Sequence, residues 1–314
     1  VEISTVDTKH VYLEPAAISR LGGLELVARL VVEGFIAGMH KSPYQGFSVE
    51  FVEHRQYMPG DEIRYIDWKV YAKSDRYYVK KFEEETNLKS YLLLNISGSM
   101  GEIRAEDEES SGDKLGKLEY GCYLAACLAH LMLRQRDSVG LVTFNDGMLR
   151  YIPPRHGSRH LHVLMSELES VSPNGKTNIS ATFNELAQRI VRRGLIVVIS
   201  DFLDDDTEQV LRALRYFRHK KHEVIVFHIL DPAEVEFPFD GTTIFRDMET
   251  GEQLLAEDAR ELRAGFLEDM DSLQTALRNG CRADSIDYVQ MNTSTTIPYY
   301  TALSLYLSKR KRRL

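Results

Sequence analysis

The sequence predicts an α/β fold, a doubly wound, mostly parallel sheet flanked by helices, preceded by an N-terminal helical and extended segment. Two observations carry this expectation. Near-continuous apolar runs at residues 91–94, 139–144, 195–200, 224–229 and 286–291 read as strands covered on both faces. Helical periodicity fills most of the gaps, at 118–134, 158–169, 179–193 and 207–218, supplying the crossovers that parallel strands need. The chain then divides into residues 1–88, an N-terminal helix and a polar segment, and residues 89–314, the sheet domain with a hairpin insertion near 237–256.

Taken in order, Ile18, Leu21, Leu24, Val27, Leu30, Val31, Phe35 and Ile36 recur at helical spacing, with Gly22-Gly23 as a break. A polar, aromatic-rich stretch follows over 40–75, with Pro59-Gly60-Asp61 as a turn. Residues 77–82 alternate as a strand does. Residues 102–113 hold six acidic side chains with Gly and Ser, the composition of a surface loop. Asp206 followed by Gln209 opens its helix as a capping box does. Residues 242–256 read as a hairpin turning at Glu249-Thr250-Gly251. A helix of about twenty residues follows from Ala259, and a last one spans 299–307.

Composition narrows the function classes. A chain of 314 residues with 43% hydrophobic and 27% charged residues can bury a full core. No apolar stretch reaches the ~18 residues of a membrane span, and the start carries no secretion pattern, so a cytoplasmic protein is expected. Cys122, Cys127 and Cys281 lack metal or disulfide spacing and read as buried hydrophobes. A net charge of −8 disfavours nucleic acid as a partner. The basic tail, Lys309-Arg310-Lys311-Arg312-Arg313, reads as a solvated helix end or a contact for an anionic surface.

The chemistry concentrates where strands end. Asn95, Ser97 and Ser99 follow the first apolar run, Thr177 follows Pro173-Asn174-Gly175-Lys176, and Asp201 follows the run at 195–200. Hydroxyls and a carboxylate gathered at the carboxyl ends of strands suit a hard divalent cation. The same residue types also build turns, and Thr177-Asn178 fits a helix cap.

The Asn95–Ser99 stretch with Thr177 and Asp201 resembles the metal-ion-dependent adhesion site of von Willebrand factor A-type domains, a Rossmann-like fold. The block from Arg55 through Pro59-Gly60-Asp61 to Asp67-Trp68-Lys69 resembles the hallmark of the domain of unknown function 58 family. Phe82-Glu83-Glu84-Glu85, Lys117-Leu118-Glu119-Tyr120, Asp137-Ser138-Val139-Gly140-Leu141 and Ile199-Ser200-Asp201-Phe202 extend that match. The resemblance implies a bacterial adaptor or chaperone-like protein, not an enzyme, accompanying a MoxR-type AAA+ ATPase or its client. It also implies that Ser97 and Ser99 hold magnesium through their hydroxyls. Thr177 would bind directly or through water, and Asp201 would supply negative charge.

Asn95 departs from the adhesion motif, which has Asp there. An amide offers one neutral acceptor, so magnesium loses a charged ligand. Three arrangements follow: a weak magnesium site, a site completed by a partner's carboxylate, or a metal-free hydrogen-bonded relic. Arg64 and Trp68 are candidate docking anchors, and the same block also reads as internal ion pairing of Asp61 and Asp67 with Arg55 or Arg64. Enzyme motifs fail: Gly112–Lys117 lacks a phosphate-loop spacer and its Ser or Thr, and no HExxH exists. His156, His160 and His162 are expected at the surface. A metal-assisted hydrolase using Asp201 is the alternative.

Overall fold

The computed structural model describes residues 23–41, 54–58, 68–74, 76–80, 88–101, 115–203, 206–294 and 297–311. Outside these lie Arg64, Asp61, Asp67, the Pro59-Gly60-Asp61 turn, the acidic stretch 102–113, Asp204 and Asp205, and Arg312-Arg313 of the basic tail.

Leu24–Lys41 forms α1, which buries Val27, Ala28, Val31, Val32 and Phe35 along one stripe. Two short strands, β1 (His54–Gln56) and β2 (Tyr78–Lys80), pair antiparallel around α2 (Trp68–Ser74). The main sheet begins with β3 (Lys89–Asn95). The helix α3 (Lys117–Arg134) and strands β4 (Ser138–Phe144) and β5 (Met148–Arg155) follow. Helices α4 (Ser158–Ser170) and α5 (Ile179–Arg189) lead to β6 (Leu195–Ser200). Then come α6 (Thr207–His219), β7 (Glu223–Leu230) and α7 (Pro232–Glu236). A separate hairpin of β8 (Thr243–Arg246) and β9 (Gln253–Ala256) precedes α8 (Ala259–Ala283), β10 (Asp287–Asn292) and α9 (Ile297–Lys311).

The main sheet has the order β10-β7-β6-β3-β4-β5, parallel except for β5, which runs antiparallel to β4. Period-two alternation divides its apolar side chains between two covered faces. Leu92, Leu94, Val197, Ile199, Ile225 and Phe227 pack in one layer with α1, α3, α4 and α9. Tyr91, Leu93, Ile196, Val198, Val224 and Val226 pack in the other with α5, α6 and α8. Each fully buried aliphatic side chain contributes about 1.5–3 kcal/mol of transfer free energy. The expected architecture is therefore present, and α1 shares the core of the sheet.

Local departures from expectation have physical causes. β5 carries Pro153 and Pro154, which only an edge strand tolerates, so its composition hides it. α5 ends at Arg189, because Ile190 turns to extended backbone ahead of Gly194. His160, expected at the surface, is buried, with Nε2 2.6 Å from the Val139 carbonyl oxygen. Among the described residues no helix is long and apolar enough to cross a membrane.

Strand order reverses between β3 and β6, since the chain runs from β3 outward to β4 and β5 and later returns on the other side. The crevice beyond those two carboxyl ends is where such sheets bind ligands.

Candidate functional site

The β3–β6 register pairs Leu94 with Ile199, which sets Asn95 beside Ser200 and Asp201 at the strand ends. Asn95 is fully buried. Its carbonyl oxygen accepts the Ser97 N–H at 3.0 Å, turning the chain away from the strand. Its amide nitrogen donates to Ser200 Oγ at 3.0 Å and points at Asp201 Oδ1 at 3.5 Å. That turn brings Ser97 Oγ and Ser99 Oγ to 2.9 Å from each other.

The loop before α5 closes onto the same crevice. Asn174 N–H donates to the Ile96 carbonyl, Gly98 N–H to the Gly175 carbonyl, and Asn178 N–H to the Asn145 carbonyl, each at 2.9 Å. Gly175 has φ +73°, and a Cβ there would stand 2.7 Å from Asn145 Nδ2. Asn178 caps α5 by accepting from Ala181 N–H, so the capping expectation holds for that residue. Thr177 is spent otherwise. Its N–H and hydroxyl donate to the two carboxylate oxygens of Glu249, at 3.1 and 2.7 Å. The structure thus gathers Asn95, Ser97, Ser99, Thr177 and Asp201 at one strand-end crevice.

Three participants escaped sequence reasoning. Lys117 opens α3 and is buried, with Nζ 2.9 Å from Asp201 Oδ2 and also bonded to Glu234 Oε1. Glu234 completes a capping box at α7, its other oxygen accepting the Asp231 N–H. Burial works to lower the Lys117 pKa, yet Asp201 and Glu234 raise it above its ordinary value. Burial raises the Glu234 carboxyl, against the opposing pull of Lys117. A signal for Lys117 existed: a cation in the first turn opposes the helix dipole and needs another reason to be there. Glu249 had none, because a hairpin turn does not announce what its tip touches.

These donors bear directly on a cation. Asp201 gives one oxygen to Lys117 and directs the other toward the Asn95 amide, so its charge already faces nitrogen donors. The oxygens of Asn95, Ser97 and Ser99 are neutral, the Asn95 side-chain carbonyl already holds the Ser97 N–H, and the carboxylates of Glu234 and Glu249 are held by Lys117 and Thr177. As arranged, the set does not fit a resident divalent cation, which exchanges its water mainly for charged oxygens. Among the described residues no three His, Cys, Asp or Glu side chains are placed to share a metal.

Of the two candidate docking anchors, Trp68 is described, 57% exposed, and edge-on to Tyr71 at 6.1 Å. Tyr71 stacks on Tyr77 at 4.5 Å, so the segment presents a cluster of rings. All three cysteines are buried, and burial first of all pushes their thiols up to about 12.

Comparison with known proteins gives relatives in mycobacteria. The chain is 28% identical over 242 residues to uncharacterized protein Rv1480 of Mycobacterium tuberculosis, covering 76% of this chain and 73% of that protein. It is 31% identical over 104 residues to uncharacterized protein MAV169 of Mycobacterium avium, covering 32% and 59%. Among solved structures it is similar to the conserved hypothetical protein BatB of Bacteroides thetaiotaomicron, at TM-score 0.47 and 20% identity over 72% of this chain and 99% of that one. It is also similar to the SpRpn10 VWA domain, at TM-score 0.37 and 13% identity over 70% and 94%. Strand order and the two-faced core, not these distant likenesses, establish the architecture. The family model described as protein of unknown function DUF58 matches residues 53–275, well over half of the sequence, and the chain belongs to that family.

Proposed function

We propose that this protein is a non-enzymatic interaction module that works with a MoxR-type AAA+ ATPase, using its strand-end crevice without a resident metal. The observation that carries this is the Lys117–Asp201 ion pair. It supplies the positive charge that a cation would otherwise bring, and it leaves the mutually bonded hydroxyls of Ser97 and Ser99 uncommitted to a metal. The family resemblance supports the ATPase as the partner class. The exposed ring cluster at Trp68 supports a second, separate contact.

Asp201 supports the hydrolase alternative poorly. A general base must have an oxygen within reach of the water it deprotonates. Asp201 is fully buried, with one oxygen on Lys117 and the other toward Asn95.

The test is binding to a purified MoxR-type ATPase from the same organism, followed by calorimetry. Wild type should bind, and Ser99→Ala and Trp68→Ala should each weaken binding roughly ten-fold, the scale of an interface residue worth about 1.4 kcal/mol. Unchanged affinity in both variants would remove the crevice and the ring cluster from the interface. Turnover of a phosphoester or peptide that disappears in Asp201→Asn would overturn the non-enzymatic assignment.

A further inference from the structure

We propose that Thr177 is the receptor point for a partner's acidic side chain, and that Glu249 is a tethered stand-in which the partner must displace. This rests on the interaction-module reading and deepens it.

Four observations support the proposal. First, the recognition is two-pronged: the N–H and hydroxyl of buried Thr177 each donate to a different oxygen of one carboxylate. Paired donors aimed at both oxygens recognise a carboxylate by its geometry as well as its charge. Second, the carboxylate comes from outside the sheet. Among the described residues β8 and β9 pair only with each other, so Glu249 reaches the crevice as the tip of an appended hairpin.

Third, the crevice is shaped to that tip. A Cβ on Gly98 would stand 2.4 Å from the Met248 carbonyl oxygen, so the hairpin backbone passes where only glycine leaves room. Fourth, the tip is pre-organised to present Glu249. Asp247 accepts the N–H groups of Glu249 and Thr250 at 2.7 and 3.1 Å, and Gly251 at φ +75° donates back to the Asp247 carbonyl at 2.9 Å. The backbone bonds to Glu249 and Thr250 hold the Asp247 carboxyl below its usual range, with a smaller contribution from Lys176.

The Thr177 contact is one that an acidic side chain on another protein can reproduce. A tethered carboxylate competes at high effective concentration, so an external one binds measurably only when the tether is removed or pulled away. The hairpin therefore sets a threshold on partner binding.

The experiment uses the full chain and a capped peptide corresponding to residues 246–252, supplied in trans and followed by calorimetry. Glu249→Ala should bind the peptide at least ten-fold tighter than wild type. The same peptide with Gln in place of its Glu249 should not bind. Thr177→Val added to Glu249→Ala, which removes the hydroxyl and keeps the N–H, should weaken binding at least ten-fold, whereas Thr177→Ser, which keeps both donors, should retain it and serves if the valine variant does not fold. Hydrogen exchange at the Thr177 amide should accelerate in Glu249→Ala. Equal peptide affinity in wild type and Glu249→Ala, no saturable binding to Glu249→Ala, or equal binding of the Gln peptide would overturn the proposal. Titrating the ATPase in parallel separates the two readings. Peptide binding without ATPase binding sinks the proposed function alone, and ATPase binding without peptide binding sinks only the receptor.

Discussion

At position 95 the amide nitrogen points at Ser200 Oγ and Asp201 Oδ1, so this side chain offers hydrogens where a carboxylate would offer only lone pairs. With Lys117 it surrounds Asp201 by nitrogen donors, as a cation would by charge. Asn95→Asp would place a second acid beside Asp201 in a cluster whose single ammonium already serves two carboxylates. In chelator the variant should lose on the order of 3 kcal/mol, because an unpaired buried charge costs that much. Millimolar magnesium should restore part of the loss while leaving wild type unchanged, read by urea unfolding with and without the metal. A wild type that magnesium stabilises would defeat the metal-free assignment. A variant indifferent to magnesium would mean that position 95 does not face a cation-accessible crevice. Ser97, Ser99 and Asp201 were legible in the sequence because oxygen-bearing residues end apolar strands there, and Thr177 because it follows a turn-forming Pro-Asn-Gly-Lys run and completes the resemblance to the adhesion motif. Glu249 was not, and Lys117 showed only its misplacement against the helix dipole, because their roles are set by partners 72 and 84 residues away, a choice made by the fold.

At the scale of elements, β3, β4, β6 and β7 were readable because burial on both faces demands unbroken apolar runs. β5 alternates imperfectly and contains two prolines, so nothing in its composition separates an edge strand from a loop. The five-residue α7 is too short for periodicity, yet it delivers Glu234 to Lys117. α1 was legible as a helix, but its destination was not. Its buried stripe lies in the same cluster as α3 and α4, which makes it part of the sheet's cooperative unit. Phe35→Ala should then lower global stability by about 3–5 kcal/mol, the usual cost of emptying a buried aromatic site. A loss below about 1 kcal/mol, or a separate early transition in denaturant, would show that the helix docks as an independent piece.

Across the whole molecule, the sheet buries ionisable groups near its switch point whose protonation is tied to global folding. His228 stands opposite Ser200 in the β6–β7 register, with Nδ1 2.6 Å from the Tyr288 hydroxyl and Phe202 edge-on at 5.5 Å. Burial is the main cause that lowers its pKa from 6.5 to about 4. Asp201 opposes that shift, and Lys117 adds to it. A histidine held neutral in the fold but free to charge when unfolded stabilises the fold fully above its ordinary pKa. The contribution fades as pH falls from 6.5 toward 4, and it amounts to about 3 kcal/mol. Glu234 works in the opposite direction. Its raised pKa means that the stability gained from its protonation is present at low pH and lost as pH rises. The two effects are separable by substitution, because Glu234 is common to wild type and a His228 variant. His228→Gln should be less stable than wild type at pH 7, having lost the packed imidazole. Its unfolding free energy should nevertheless fall less steeply between pH 6.5 and 4, by up to about 1.4 kcal/mol per pH unit, the slope set by one proton. Urea unfolding of both proteins across that range measures the difference, and parallel curves would show that His228 does not carry the acid sensitivity of the fold.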